Sequence, residues 1–316
     1  MSESKLLSIV TPCYNEEDKV EELYRRIKDV IGSLNNYKFE IIFIDNSSKD
    51  NTLKILKKIA ASDIIVKIIV NRRNFGHIRS PYYGILQSSG IATIYLASDL
   101  QDPPELIPEF INYWEQGYKL VMAVKPNSQE KSWFNQLRKF YYRFVDRISD
   151  ISLVADSTGF GLYDRIVLDQ LRQINDPYPF LRGLICELGF DIKTISFNQP
   201  KRLRGITKNN FYSLYDIAML GIINHSKIPI RFASFLGFAV GLLSIIAALV
   251  YLILKIFFWN FIPFGIAPLI IGLFLLFGIQ LIFIGVLGEY IASIHTYVQR
   301  RPVVVEKERI NFTHQD

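Results

Sequence analysis

The residues best suited to chemistry sit in short polar clusters that directly follow apolar runs. In Ser98-Asp99-Leu100-Gln101-Asp102-Pro103-Pro104-Glu105, acidic and amide oxygens end an apolar run and precede a proline-started helix. Hard divalent cations such as Mg²⁺ take oxygen ligands and bind through one or two carboxylates plus substrate phosphates. Asp99 and Gln101 are two apart, so both can face one ion if the turn stays extended. The competing reading is a simple helix cap, which the same Asp-x-x-Asp spacing also supplies. Asp45 ends another apolar run and could accept from a base or ribose, as acids at such positions do in nucleotide folds. Its bland alternative is a turn carboxylate bonding its own backbone. A third cluster, Arg202-Leu203-Arg204-Gly205-Ile206-Thr207-Lys208, is basic and could clamp phosphates through planar guanidinium contacts. Attraction to anionic headgroups, about 1 kcal/mol per basic residue, explains it equally well.

The elements that must position these clusters alternate in type. Leu7 to Thr11 is a β-rich run, and Glu16 to Ile31 has helical spacing through Val20, Leu23, Ile27 and Val30. Strands are expected at Phe39 to Asp45, Ile64 to Val70, Ile91 to Ala97 and Lys119 to Val124. Such alternation implies an α/β fold with a largely parallel sheet and helices on both faces. Ligands of these sheets bind at the carboxyl ends of the strands. The polar stretches Thr11 to Glu17, Asp45 to Asp50, Asn71 to His77 and Asp99 to Glu105 all fall there, which predicts an active-site rim.

The last third is different. Two apolar runs, from about Phe232 to Phe258 and from about Ile266 to Ile284, are each long enough to cross a bilayer. Lys255 lies near the end of the first, and the second meets no charge until Glu289. Lys201, Arg202, Arg204, Lys208, Lys227 and Arg231 precede the pair, and Arg300, Arg301, Lys307 and Arg309 follow it. The connection from Trp259 to Gly265 is uncharged, so the positive-inside rule places both flanks in the cytoplasm. Two further segments, Lys131 to Ser149 and Asn209 to Asn224, carry apolar residues at helical spacing. The first is read as an amphipathic helix, either on the sheet or in the headgroup region, and the second as an interfacial helix. The tail from Pro302 is polar and expected to be mobile. The formal charge of +6 raises nucleic acid as a partner, but no zinc-ligand spacing or recognition-helix context supports it. Cys13 and Cys186 show no metal-like spacing and are expected to stay reduced in the cytoplasm. The polar start before the first strand reads as no signal peptide. The expected division is a catalytic domain over 1–208, an interfacial helix over 209–230, a two-helix hairpin over 231–290 and a cytoplasmic tail over 291–316.

Taken in order, the motifs resemble family-2 glycosyltransferases of the GT-A fold. Val10-Thr11-Pro12-Cys13-Tyr14-Asn15-Glu16-Glu17 is similar to the family's opening. Asp45 to Thr52, Asn74-Phe75-Gly76 and Asp99 to Glu105 follow in the family's order. Leu287-Gly288-Glu289-Tyr290-Ile291 resembles the polyprenyl-phosphate branch, which charges undecaprenyl or dolichyl phosphate with glucose, mannose or aminoarabinose. The resemblance implies that Pro12, Tyr14, Glu16 and Asp45 hold the nucleotide base and ribose. Asp99 and Gln101 would ligate Mg²⁺ or Mn²⁺ under the diphosphate. Asp156 would line the acceptor side, while Arg182, Arg202 and Lys208 would meet the lipid phosphate and the donor diphosphate. The implied partners are a nucleotide sugar (a UDP-hexose by family frequency), a polyprenyl phosphate, membrane lipid and further copies of the chain.

This sequence departs from the pattern at four places. Ala97 stands where the metal motif usually has its first Asp, and Asn46 where Asp45 is commonly followed by a second Asp. Gly159 replaces an acidic residue often found there, and Gly205-Ile206-Thr207-Lys208 replaces a common Gly-Glu-Ser-Lys. The loss at Ala97 bears on metal or nucleotide affinity, and the others on which sugar fits. An adaptor that has lost turnover is one alternative, supported by Ala97 and Gly159 and opposed by Asp99, Gln101 and the basic loop. A polysaccharide synthase is another, opposed by the lack of a Gln-x-x-Arg-Trp element and by too few spans.

Overall fold

A computed structural model describes residues 5–125, 154, 157–174, 176–198, 228–257 and 266–312. The first half alternates as the sequence implies: β1 (Lys5–Cys13), α1 (Val20–Gly32), β2 (Tyr37–Asp45), α2 (Thr52–Ser62), β3 (Val66–Asn71), α3 (Gly76–Leu86) and β4 (Ala92–Tyr95). A short 3₁₀ turn at Pro104–Leu106 leads into α4 (Ile107–Glu115) and β5 (Leu120–Val124). Then come β6 (Ser157–Asp164), α5 (Arg165–Gln173), α6 (Leu181–Glu187) and β7 (Ile192–Ser196). Two long helices follow, α7 (Ile228–Phe257) and α8 (Ile266–Val298), and β8 (Glu306–Ile310) closes the described chain.

All eight strands form one sheet in the order β7-β5-β6-β4-β1-β2-β3-β8. The parallel centre is β4-β1-β2-β3, in line with expectation. The flanks mix directions, because β6 runs antiparallel to both β4 and β5 and β8 runs antiparallel to β3. Central strands are apolar on both faces because helices cover both. On β2, Ile41 and Phe43 join a core with Leu23 and Ile27 of α1, while Ile42 and Ile44 join a second core with Tyr82 and Ile85 of α3. Helix α1 buries Val20, Leu23, Ile27 and Ile31, one stripe at three- and four-residue spacing. Each fully buried side chain of this size contributes roughly 1.5–3 kcal/mol relative to exposure.

Helices α7 and α8 are long and apolar enough to cross a membrane, with spans at Ile230–Ala247 and Leu275–Val298 and none of either buried inside the protein. Large apolar side chains such as Phe235, Leu243 and Leu281 face outward. Helix α8 runs about fourteen residues past the end expected from its apolar run and touches the head, where the Tyr297 hydroxyl donates to Asp176 at 3.0 Å.

The tail is not the free polar segment that its composition suggests. Glu306–Ile310 is a strand on the outer edge of β3. Its alternating charges hide it from a search for apolar periodicity, yet charged residues are what an exposed edge carries. Main-chain bonds and side-chain grips hold it. The Arg72 N–H donates to the Val305 carbonyl at 3.0 Å, and the Asn311 amide donates to the carbonyls of Ala60 and Val66 at 2.8 Å each. Tyr83 of α3 donates to Glu306 at 2.7 Å. The amphipathic segments expected at 131–149 and 209–224, the basic loop at 202–208 and the connection at 259–265 lie outside the described residues.

Candidate active site

At the carboxyl ends of β1, β2 and β4 the sheet opens into a cleft of about 440 Å³. Pro12, Cys13, Tyr14 and Glu16 line it from the end of β1 and the loop that follows, and Asn46 lines it from the end of β2. Asn74, Gly76, His77, Ser80 and Pro81 come from the start of α3, and Tyr95, Ala97, Ser98 and Asp99 from β4 and its exit.

The loops after β1 and β2 are stitched together mainly by side chains bonding backbone. The N–H groups of Asn15 and Glu16 donate to Ser48 Oγ (3.0 Å) and Thr52 Oγ1 (2.8 Å). In return, the N–H groups of Lys49 and Asn51 donate to Asn15 Oδ1 and Glu17 Oε2, both at 2.8 Å. Asn15 and Ser47 take the left-handed backbone region, at φ 54° and 63°, which short polar side chains tolerate. The rim is therefore rigid at the point where Tyr14 and Glu16 must stand.

Asp45 is fully buried behind this wall rather than on it. Its carboxylate accepts from the Ser48 N–H at 3.2 Å, the turn geometry that the bland reading describes. Burial pushes its carboxyl above the usual range, and Asp50 adds to this, against the bonds from Ser48. At the exit of β4, Asp99 reaches the cleft and accepts from the Gln101 N–H at 3.1 Å, with Leu100 at φ 63° making the turn. Gln101 itself is not on the cleft wall. Asp102 is buried under the turn, accepts from the Ala97 N–H at 2.9 Å, and has its carboxyl raised to about 7 mainly by burial. Cys13 is a free thiol that burial keeps protonated.

A smaller recess of about 170 Å³ adjoins the cleft and shares His77, Pro81 and Tyr95 with it. Thr158, Phe180 and Arg182 complete its polar and aromatic lining. The Arg182 guanidinium donates to the Ser157 carbonyl at 2.9 Å and stands 5.3 Å from the Phe180 ring centre. Burial, aided by the charge of Arg182, holds the His77 imidazole below its usual pKa, so it is neutral near pH 7. Gly159, at φ +90°, lies where an added Cβ would come 3.6 Å from the Tyr95 ring.

Among the described residues no group of three His, Cys, Asp or Glu side chains could hold a metal unaided. The oxygen-rich wall around Asp99, Ser98 and Glu16 nevertheless suits a hard divalent ion that takes its other ligands from a diphosphate. The structure thus brings Pro12, Tyr14, Glu16 and Asp99 into one cleft, sets Arg182 in the neighbouring recess, leaves Asp45 buried behind the wall, and puts Gln101 half-buried and off the cleft wall. Asp156, Arg202 and Lys208 lie outside the described residues. Asn46 and His77 fall within the polar stretches expected to form the rim, whereas Ser80 and Tyr95 lie outside them and were missed.

The profile of "Glycosyl transferase family 2" matches residues 8–172. An uncharacterized glycosyltransferase of Synechocystis is 36% identical over 94% of this chain and 93% of its own. Another uncharacterized glycosyltransferase, YkcC of Bacillus subtilis, is 35% identical over 96% of this chain and 94% of its own. A prophage-derived bactoprenol glucosyl transferase of Shigella flexneri is 31% identical over 96% and 97%.

Proposed function

The chain belongs to glycosyl transferase family 2, and we propose that it transfers a hexose from a UDP-sugar to a polyprenyl phosphate in the membrane, with inversion. The protein is a glycosyltransferase whose head has a GT-A-like α/β fold. One observation carries the finer reading: a cleft walled by Asp99 and Glu16 shares a chain with two helices able to span a bilayer, the second bonded to the head through Tyr297. A relative named for bactoprenol, matching along nearly its whole length, supports a lipid acceptor. The basic flanks of the hairpin support a cytoplasmic head.

The chemistry asked of the protein is mainly electrostatic. A lipid phosphate monoester is already a dianion near pH 7, since its second pKa is about 6. It attacks the anomeric carbon from the face opposite the leaving diphosphate, so no strong general base is required. Charge on the leaving group must be stabilised by preorganised partners. A bound Mg²⁺ or Mn²⁺ would supply part of that stabilisation as a Lewis acid. Asp99 would hold it, and Gln101 of the same loop is proposed beside it from the family's pattern alone. Pro12, Tyr14 and Glu16 form the wall for the nucleoside, and buried Asp45 braces that wall from behind. Arg182, beside neutral His77, faces the recess where sugar and acceptor phosphate meet. Asp156, Arg202 and Lys208 are proposed on the acceptor side from the family's pattern alone.

The test is a donor screen on the full chain with polyprenyl phosphate, a divalent metal and a panel of nucleotide sugars, comparing wild type with Asp99→Ala. Transfer to lipid, reduced at least about a hundredfold in Asp99→Ala, is the expected result. Near-wild-type turnover of Asp99→Ala, or donor hydrolysis with no lipid product, would remove the reading. Sealed vesicles exposing only the non-cytoplasmic face should not consume added donor.

A further inference from the structure

The one wall residue at which this chain departs from the acidic pair expected after β2 is Asn46, and its surroundings explain why an amide stands there. Asn46 is 6% exposed. Its amide nitrogen donates to Asn74 Oδ1 at 2.9 Å and to the Gly76 carbonyl at 3.2 Å. Its oxygen accepts from the Phe75 N–H at 2.9 Å and from the Asn71 amide at 3.0 Å. A carboxamide has two donor hydrogens and two acceptor lone pairs, and all four are used. Two of the partners are backbone groups with only one possible role: Phe75 N–H can only donate and the Gly76 carbonyl can only accept. The amide's orientation is thereby fixed. Asn74 Oδ1 is held in turn by the Gly76 N–H at 2.7 Å, and the Asn71 amide also donates to Ser80 Oγ at 3.0 Å. Gly76 sits at φ +85°, so the turn enters α3 through a conformation that the network must hold.

We infer that Asn46 is a positioning residue for the donor: it locks the turn at 74–76, which forms one wall of the cleft and aims His77 and Ser80 into it. The position requires a carboxamide. A carboxylate would lose both donated bonds, set its charge against the Gly76 carbonyl and Asn74 Oδ1, and add to the charge of the neighbouring Asp45. Leaving such buried acceptors facing one another costs more than the bonds were worth. The inference rests on the reading of the cleft as the donor site, and the experiment separates the two.

Asn46→Asp and the milder Asn74→Ala should be made in the full chain, purified in detergent. Four quantities are read: amide hydrogen exchange in peptides covering 72–78, KM and kcat for UDP-glucose or whichever panel sugar is used, and Tm. For Asn46→Asp, exchange at 72–78 should rise at least about tenfold and KM at least about tenfold, with kcat changed less than about threefold and Tm lowered by roughly 5 °C. Asn74→Ala should move the same quantities less, and it decides the matter if Asn46→Asp does not fold. Unchanged exchange at 72–78 would overturn the lock. Faster exchange with an unchanged KM would overturn the positioning role. A parallel fall of kcat, KM performance and Tm would show a general structural residue instead. If no nucleotide sugar is turned over even by the wild type, the donor reading fails, and the exchange data still decide the lock.

Discussion

Glu40 and Asp45 lie on the same strand, both buried, and the protein treats their charges in opposite ways. Glu40, near the start of β2, accepts from Ser8 Oγ and from the Ser89 N–H and hydroxyl, and pairs with Lys67. Burial alone would raise its pKa, but Lys67, Ser8 and Ser89 together hold it below the usual range. Asp45, at the other end, has only the turn around Ser48, and among the described residues no cation pairs with it. Burial raises its carboxyl. One end of the sheet neutralises its charge within the fold and is stable for it. The end nearer the cleft holds its carboxyl by the hydrogen bonds of a turn, without a described cation, and is the less settled of the two.

The sharpest way to break this comparison is Glu40→Ala. It strands the Lys67 ammonium, which is mostly buried, and leaves the Ser8 and Ser89 donors without their acceptor. Removing one partner of a buried pair costs about 3–5 kcal/mol, or a Tm lower by about 10 °C in a chain of this size. Donor KM should stay the same. The folded pKa of Glu40 is depressed, so its stabilisation is fully present above the unfolded value of about 4.3 and is lost as pH falls through the lower folded value. Urea unfolding from pH 6 to pH 3 should show a shallower acid loss in Glu40→Gln. A normal acid loss there, or a changed KM in Glu40→Ala, would show that the two ends are not separate.

Which of these ends carries the cleft was legible in the sequence, because apolar runs ended in polar clusters on the carboxyl side each time. The order of β1 to β5 could be read for the same reason: β-branched runs and helical stripes alternate without interruption. The antiparallel flank could not, since β6 pairs with β4 and β5 through contacts about 70 and 40 residues away that no local pattern records. β8 was hidden for a different reason. Its residues are an edge's charges, and its stability comes from the backbone of β3 and from Tyr83, Lys57 and Asn311 grips. Asp45 was read as a possible ligand from its strand-end position, yet only the structure shows it turned to its own loop. Neighbouring Asn46 was noticed as a departure, but its four bonds depend on Asn71, Asn74 and Gly76 meeting in space.

Asp45→Asn sharpens the comparison from the cleft side. Its folded pKa is raised, so neutrality favours the fold: the contribution is fully present below the unfolded value of about 3.9 and is lost as pH rises through the higher folded value. An uncharged amide should therefore leave stability at pH 7 equal to the wild type or slightly above it. Donor affinity should fall about tenfold, about 1.4 kcal/mol, because a neutral amide holds the Ser48 N–H of the loop behind the nucleoside wall less firmly than a carboxylate does. Urea unfolding and nucleotide-sugar titration at pH 7 measure the two quantities. A stability loss as large as that of Glu40→Ala would make Asp45 a second structural anchor.

The smallest effect is expected where the chain lacks a carboxylate. Ala97 stands on the cleft wall two residues from Asp99, and both are partly exposed while Leu96 and Ser98 between and before them are buried. Positions 97 and 99 both line the cleft just past the end of β4. Ala97→Asp would thus add a second carboxylate next to Asp99, while the backbone bond from the residue-97 N–H to Asp102 can stay. Without a divalent ion the two like charges repel and donor binding should weaken. With one, both carboxylates can serve the same hard cation, and donor affinity should rise a few-fold, about 1 kcal/mol or less after the cost of crowding the charges. The measurement is donor KM for Ala97→Asp and wild type across a Mn²⁺ titration and in chelator. Crossing curves, weaker in chelator and tighter in metal, would place a cation between the two side chains and the donor. Curves that stay parallel would show that the donor binds at this wall without a metal between positions 97 and 99.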